Sequence, residues 1–283
     1  KYAEMMVIFL HDISHLGKII NEVLPLKPDT FEAYDDNTLK LALRFFPGFA
    51  QHLGTKGFIS TGIAFLPEFW LVLIGGLPKM VLQIDFQSDS QEELDKKILH
   101  LQEKLAPLHP QTRIEHNKKQ ERKYWLIRRE SFNLLRSKFH NKHTAPFVDD
   151  FAVKPEYLSE VLPKINALFK QYPSLIYTIA GHVGDGNFHI IPLMKIEDEK
   201  QRKIIPELGK KVYDLILKYH GTITAEHNDG IIRTPYLEKM YGKDIVELFR
   251  QTKQIFDPQG IFNPGKKVGG TFEDIERDML REN

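Results

Sequence analysis

The run Gly181-His182-Val183-Gly184-Asp185-Gly186-Asn187-Phe188-His189 sets two histidines apart by six residues. Two glycines, an aspartate and an asparagine lie between them. One helix-length segment later comes Thr224-Ala225-Glu226-His227-Asn228-Asp229-Gly230. His182, His189 and Glu226 offer two imidazoles and a carboxylate, and His227 is a spare imidazole. That set suffices to hold one divalent metal and still keep a base. Two His and one carboxylate leave positions open for water or substrate. The donor set suits Zn²⁺, Mn²⁺ or Fe²⁺, and spacing does not choose among them. The competing reading of an isolated His pair is a surface turn with no metal. Asp185 or Asn187 equally could hold that turn by local side-chain-to-backbone bonds.

These residues need elements to position them. Leu175–Ala180 and Phe188–Leu193 read as strands flanking the glycine-rich turn, where Gly184 and Gly186 permit unusual backbone angles. Lys200 to Tyr219 reads as a long helix kinked at Pro206, stopped by Gly221, with a short strand over Thr222–Ala225. Upstream, Met5–Leu10 reads as a strand and His15–Val23 as a helix. A second helix starts at Asp35-Asp36-Asn37, capped by Asp36 or Asn37, and runs through Phe46. Phe69–Leu73 and Met80–Phe86 read as strands. Ser90 caps a helix over Gln91–Leu105, whose Leu94, Ile98, Leu101 and Leu105 recur at helical spacing. Tyr124–Leu135 is a predicted helix, Phe147–Val153 a strand, and Pro155 to Tyr172 a helix. Helices follow at Pro235–Met240 and Asp244–Phe256. The pattern predicts an α+β fold, a mainly antiparallel sheet covered by helices.

Composition narrows the function classes. The chain has no cysteine, so thiolate nucleophiles, disulfides and cysteine-held iron–sulfur clusters within it are excluded. A net charge of +1 does not point to nucleic acid or membrane as a whole-molecule partner. Arg113 to His143 is locally basic, with ten Lys or Arg against three acidic residues. Interleaved with Tyr124, Trp125, Phe132 and Phe139, it reads as a solvated face around an anionic-substrate entrance, or a weak membrane-surface contact, rather than a nucleic-acid site. Phe58 to Gly76 is the most apolar window, and Pro67, Glu68 and Gly62 mark it as core rather than a membrane span. No signal peptide is visible, and the expected location is cytoplasmic, peripheral at most to the inner face of the membrane.

The string GHVGDGNFH, then AEHNDG, then Phe256-Asp257-Pro258-Gln259-Gly260-Ile261-Phe262-Asn263-Pro264-Gly265-Lys266, resembles the C-terminal domain of the FAD-linked oxidases. That group includes D-lactate dehydrogenases, the glycolate oxidase flavoprotein subunit and D-2-hydroxyglutarate dehydrogenase. The resemblance runs from about Lys27 to Val268, and three motifs in order favour the metal site over the bare turn. It implies a cap-domain architecture over residues 1–268, a tail over 269–283, and an FAD-binding domain outside this chain. It also implies that His227 takes the proton in alcohol oxidation. Arg129, which precedes Glu130, would bind the substrate carboxylate through a two-pronged guanidinium contact, with Arg128 as competitor. Asn187 is expected near the substrate, and Asn263 and Lys266 near the flavin. The family glycine after Glu-His is here Asn228, which also tolerates turn geometry.

The expected function is the substrate- and metal-binding portion of an FAD-dependent oxidoreductase acting on a small D-2-hydroxy acid. Its partner is an FAD-binding domain or subunit. A non-catalytic binding module serving a separate FAD-carrying chain is the alternative. A stand-alone metal hydrolase follows from the donor set without the resemblance.

Overall fold

The computed structural model describes residues 2–44, 76–116, 120–125, 127–128 and 142–279. The predicted strand at 69–73, the apolar window up to residue 75 and most of the 124–135 helix lie outside the described residues. So does Arg129.

Among the described residues, an eight-stranded sheet organises the chain. Its strands are β1 (Tyr2–Leu10), β2 (Thr30–Asp35), β3 (Met80–Ser88), β4 (Gln111–Glu115), β5 (His143–Thr144), β6 (Phe151–Ala152), β7 (Ile176–His182) and β8 (Asn187–Met194). Their order is β4-β1-β3-β2-β7-β8-β5, with β6 also paired to β8. Every pairing among the described residues is antiparallel. Side chains alternate between the two faces of a strand. Met6, Ile8, Leu82, Ile84, Ile179 and Ile190 lie on the face that carries the main core. Four helices pack on that face and contribute to the same core: α1 (Leu16–Val23), α3 (Gln91–Leu105), α4 (Leu158–Phe169) and α6 (Ile204–Lys218). Met5, Val7, Phe9, Tyr34, Val81 and Ala180 point the other way. There they pack with Leu39 and Ala42 of α2 (Asp36–Arg44) and with Tyr124 and Ile127. Both faces of β1 are therefore covered, which explains its unbroken apolar run. The result is the α+β fold expected from the pattern.

Several elements depart from the sequence reading. β2 was not anticipated, because Glu32 and Asp35 interrupt its apolar residues. The cap of α2 is Asp35, not Asp36 or Asn37. Asp35 ends the strand, still extended, and its Oδ1 accepts from the Thr38 N–H at 2.9 Å and the Thr38 hydroxyl at 2.7 Å. The Lys200–Tyr219 helix is two helices, α5 (Glu199–Arg202) and α6, broken at Lys203. Pro206 cannot donate to the Arg202 carbonyl and its ring crowds it, so the break falls before the proline rather than at it. Ser90 does cap α3, accepting from the Glu93 N–H at 3.4 Å, and all four predicted core residues of that helix are buried. After α6 come α7 (Gly230–Arg233), α8 (Leu237–Tyr241), α9 (Lys243–Phe256) and α10 (Phe272–Met279).

Burial pushes the Asp35 carboxyl up from 3.8 to about 6, against the Thr38 bonds that favour the ionised form. The folded chain therefore holds this proton more tightly than the unfolded chain does. The stability it confers is present below the unfolded value and is lost as pH rises through about 6, a change of about 3 kcal/mol. Asp35→Asn keeps an acceptor for Thr38 and removes that loss. Denaturant melts should show the variant gaining on the parent between pH 4 and 7. A constant difference across that range would contradict the assignment.

Candidate functional site

Strand register brings the two motif histidines together. Ala180 pairs with His189 and His182 with Asn187, so both imidazoles leave the same face on adjacent strands, two positions apart. Such diagonal neighbours lie within reach of ring side chains. The rings sit 5.7 Å apart, edge to face. The connection is a single 3₁₀ turn, Val183–Asp185, closed by Gly186 at φ 69°. A Cβ on Gly186 would lie 1.8 Å from the Val153 carbonyl oxygen, so only glycine fits.

Glu226 and His227 arrive from a loop, not from the predicted strand over Thr222–Ala225. Only Thr222 bridges, to Ala152. The loop is held instead by Asp150, which is fully buried at φ 66°. Its carboxylate accepts from the backbone N–H groups of Ala225 at 2.8 Å, Glu226 at 3.0 Å and His227 at 2.8 Å. Asn187 donates to the same carboxylate at 3.1 Å and to the Phe151 carbonyl at 3.0 Å. Burial alone would raise the Asp150 carboxyl, but these donors together hold it below the ordinary carboxylate value. The left-handed turn at Asp150 also limits the predicted Phe147–Val153 strand to Phe151–Ala152. Asn187 therefore spends its amide donors on Asp150 and Phe151, far away in sequence, and not on local bonds within its own turn.

The three imidazoles converge on one carboxylate. Glu226 Oε1 is 3.2 Å from His182 Nε2, and Oε2 is 3.8 Å from both His189 Nε2 and His227 Nε2. His182, His189 and Glu226 each offer a ligand atom within 4.8 Å of the others. Their Nδ1 atoms are already engaged. Glu32 Oε1 is 2.6 Å from His182 Nδ1, and Asp149 reaches His189 Nδ1 at 3.1 Å and His227 Nδ1 at 2.8 Å. Carboxylate partners on the far nitrogen are what orient metal-binding imidazoles. The Glu32 bond raises His182 above the ordinary histidine value; partial burial and Arg128 oppose it, while Glu226 adds to it. The residues present thus fit a divalent ion bound by two Nε2 atoms and a carboxylate oxygen.

Arg128, the competitor to Arg129, binds Glu32 Oε2 through Nε at 3.1 Å. Asn263 and Lys266 lie in an exposed turn, where the Lys266 N–H donates to the Asn263 carbonyl at 3.3 Å. It is Lys267 whose ammonium reaches toward the Glu226–His227 loop, pairing with Asp229 two residues after His227. Sequence reading missed Glu32, Asp149 and Arg233. Arg233 donates to the Asn228 carbonyl at 2.6 Å and to the Asp149 carbonyl, tying the His227 loop to Asp149. None of the three falls in a recognisable spacing with the histidines.

Comparison with known proteins adds a family to this geometry. The profile of the family described as FAD linked oxidases, C-terminal domain, matches residues 1–267. A D-2-hydroxyglutarate dehydrogenase of Haemophilus influenzae is 30% identical over 196 residues, 65% of this chain and 18% of that protein. A D-lactate dehydrogenase of Archaeoglobus fulgidus is 36% identical over 119 residues, 42% of this chain and 26% of that protein. Among solved structures, 4-ethylphenol oxidase from Gulosibacter chungangensis superposes with a TM-score of 0.66 at 12% identity, over 96% of this chain and 54% of that one. The last likeness concerns the fold.

Proposed function

Because this chain belongs to the FAD-linked oxidase C-terminal domain family, we propose that it is the substrate- and metal-binding portion of an FAD-dependent oxidoreductase converting a D-2-hydroxy acid to its 2-oxo acid. The observation that carries this reading is the convergence of His182 Nε2, His189 Nε2 and the Glu226 carboxylate, with each Nδ1 committed to a second carboxylate. The relatives named for D-2-hydroxyglutarate and D-lactate supply the substrate class.

His182, His189 and Glu226 hold the ion. Bound there, Zn²⁺, Mn²⁺ or Fe²⁺ supplies positive charge beside the substrate hydroxyl, and bound FAD supplies a two-electron acceptor. His227 presents Nε2 toward the same point and takes the hydroxyl proton. Its ring is fixed by Asp149 and by stacking on His189 at 4.8 Å. Arg129 receives the substrate carboxylate. Asn263 and Lys266 face the flavin from the C-terminal segment. The FAD-binding partner covers the exposed Leu248, Ile255, Phe256, Ile261 and Phe262, an apolar stripe along α9 and the turn after it.

The test is anaerobic flavin bleaching in the flavoprotein that joins this chain to its FAD-binding domain. D-lactate, glycolate or D-2-hydroxyglutarate should bleach the flavin. His189→Ala should abolish both bleaching and bound metal. Turnover retained in that variant would count against the reading.

A further inference from the structure

We propose that Asp149 is a positioning residue shared by a metal ligand and the base. One carboxylate fixes both His189 and His227 as the Nδ1–H tautomer, so that both Nε2 lone pairs face the reaction centre. This inference rests on the metal-site reading above.

The geometry is specific. Asp149 Oδ1 lies 3.1 Å from His189 Nδ1, and Oδ2 lies 2.8 Å from His227 Nδ1. An ionised carboxylate only accepts hydrogen bonds, so each ring must donate from Nδ1. A neutral ring that donates from Nδ1 carries its lone pair on Nε2, the atom needed for a metal or for a proton. The two rings are nearly parallel, 17° between planes, as one carboxylate spanning both would hold them. The Asp149 side chain is 10% exposed, so water does not compete freely for its oxygens. Arg233 fixes the Asp149 backbone and the carbonyl after His227 together, which keeps the carboxylate aimed at both rings.

An amide cannot do this. Asn has one acceptor oxygen and one NH₂ group. In Asp149→Asn the NH₂ meets one of the two Nδ1 atoms, and that ring must move its proton to Nε2. Asp149→Glu retains two acceptor oxygens and is the conservative control.

The test uses the metal-free chain labelled with ¹⁵N-histidine, about two pH units above the ordinary histidine value of about 6.5. Long-range ¹H–¹⁵N spectra, assigned with His189→Gln and His227→Gln, report each tautomer. Both rings should be Nδ1–H in the parent chain and in Asp149→Glu. One should convert to Nε2–H in Asp149→Asn. Mn²⁺ affinity should fall about 10–100-fold in Asp149→Asn where His189 is the ring that converts and stay near the parent value where it is His227, with Asp149→Glu close to the parent in both cases. An Nε2–H signal from either ring of the parent, or unchanged tautomers in Asp149→Asn, would overturn the proposal. Mn²⁺ bound by Glu226→Gln but lost in Asp149→Asn would also overturn it, because Asp149 would then be a ligand. A parent chain that binds none of Zn²⁺, Mn²⁺ and Fe²⁺ refutes the metal reading alone. The spectra need no metal and still decide what Asp149 does.

Discussion

His227→Gln should lower turnover of the assembled flavoprotein by about 10²–10⁴-fold, with metal content unchanged. Glutamine fills nearly the same space but cannot take a proton at neutral pH. Two features separate His227 from His182 and His189. It is 47% exposed, against 34% for His182 and 12% for His189, and it stacks on His189, whereas His182 meets His189 edge to face. His189 is thus sheltered beneath His227, and His227 faces the open side. The measurement is kcat with metal analysis on the same sample. Loss of metal together with activity would make His227 a ligand and remove it as the base.

Asp150→Ala should cost about 3–5 kcal/mol of stability, because several hydrogen bonds to a charged acceptor, worth about 1.5–3 kcal/mol each, are lost together. Its carboxylate is the common acceptor for three consecutive backbone N–H groups at 225–227 and for Asn187. Without it, those part-buried donors lose their charged acceptor, and alanine sits poorly at a φ of 66°. Asp150→Asn should cost less, because Asn tolerates that backbone and keeps one acceptor. Urea unfolding of the chain measures both variants. Near-parent stability in Asp150→Ala would show that the loop is held by other means. Metal affinity should fall with stability, since Asp150 sets the path of Glu226.

The site was legible where its residues are close in sequence. The strand–turn–strand reading of 175–193 holds to within a few residues, because glycines and a short turn leave little freedom. β7 and β8 then bring His182 and His189 together by register alone. Glu32 was not legible. It is 150 positions from His182, and a glutamate in a buried strand argues locally against the strand it occupies. Its place becomes intelligible only when β2 is seen beside β7. The Thr222–Ala225 segment misled for the opposite reason. Its residues favour a strand, but Asp150 satisfies the backbone donors that follow, and no ladder forms beyond Thr222. Asp149 and Asp150 are adjacent, yet one serves side chains and the other serves backbone. The left-handed turn at Asp150 is what parts them, and spacing does not reveal it.

The most direct measurement is elemental analysis of the purified chain beside Glu226→Gln, each first equilibrated with Zn²⁺, Mn²⁺ and Fe²⁺ in turn and then desalted. The expected result is about one equivalent of one of these ions in the parent chain and none in Glu226→Gln, since a neutral amide is a poor replacement for the carboxylate on which the imidazoles converge. A parent chain that retains none of the three ions, or a variant that retains the ion fully, would contradict a metal centre at His182, His189 and Glu226.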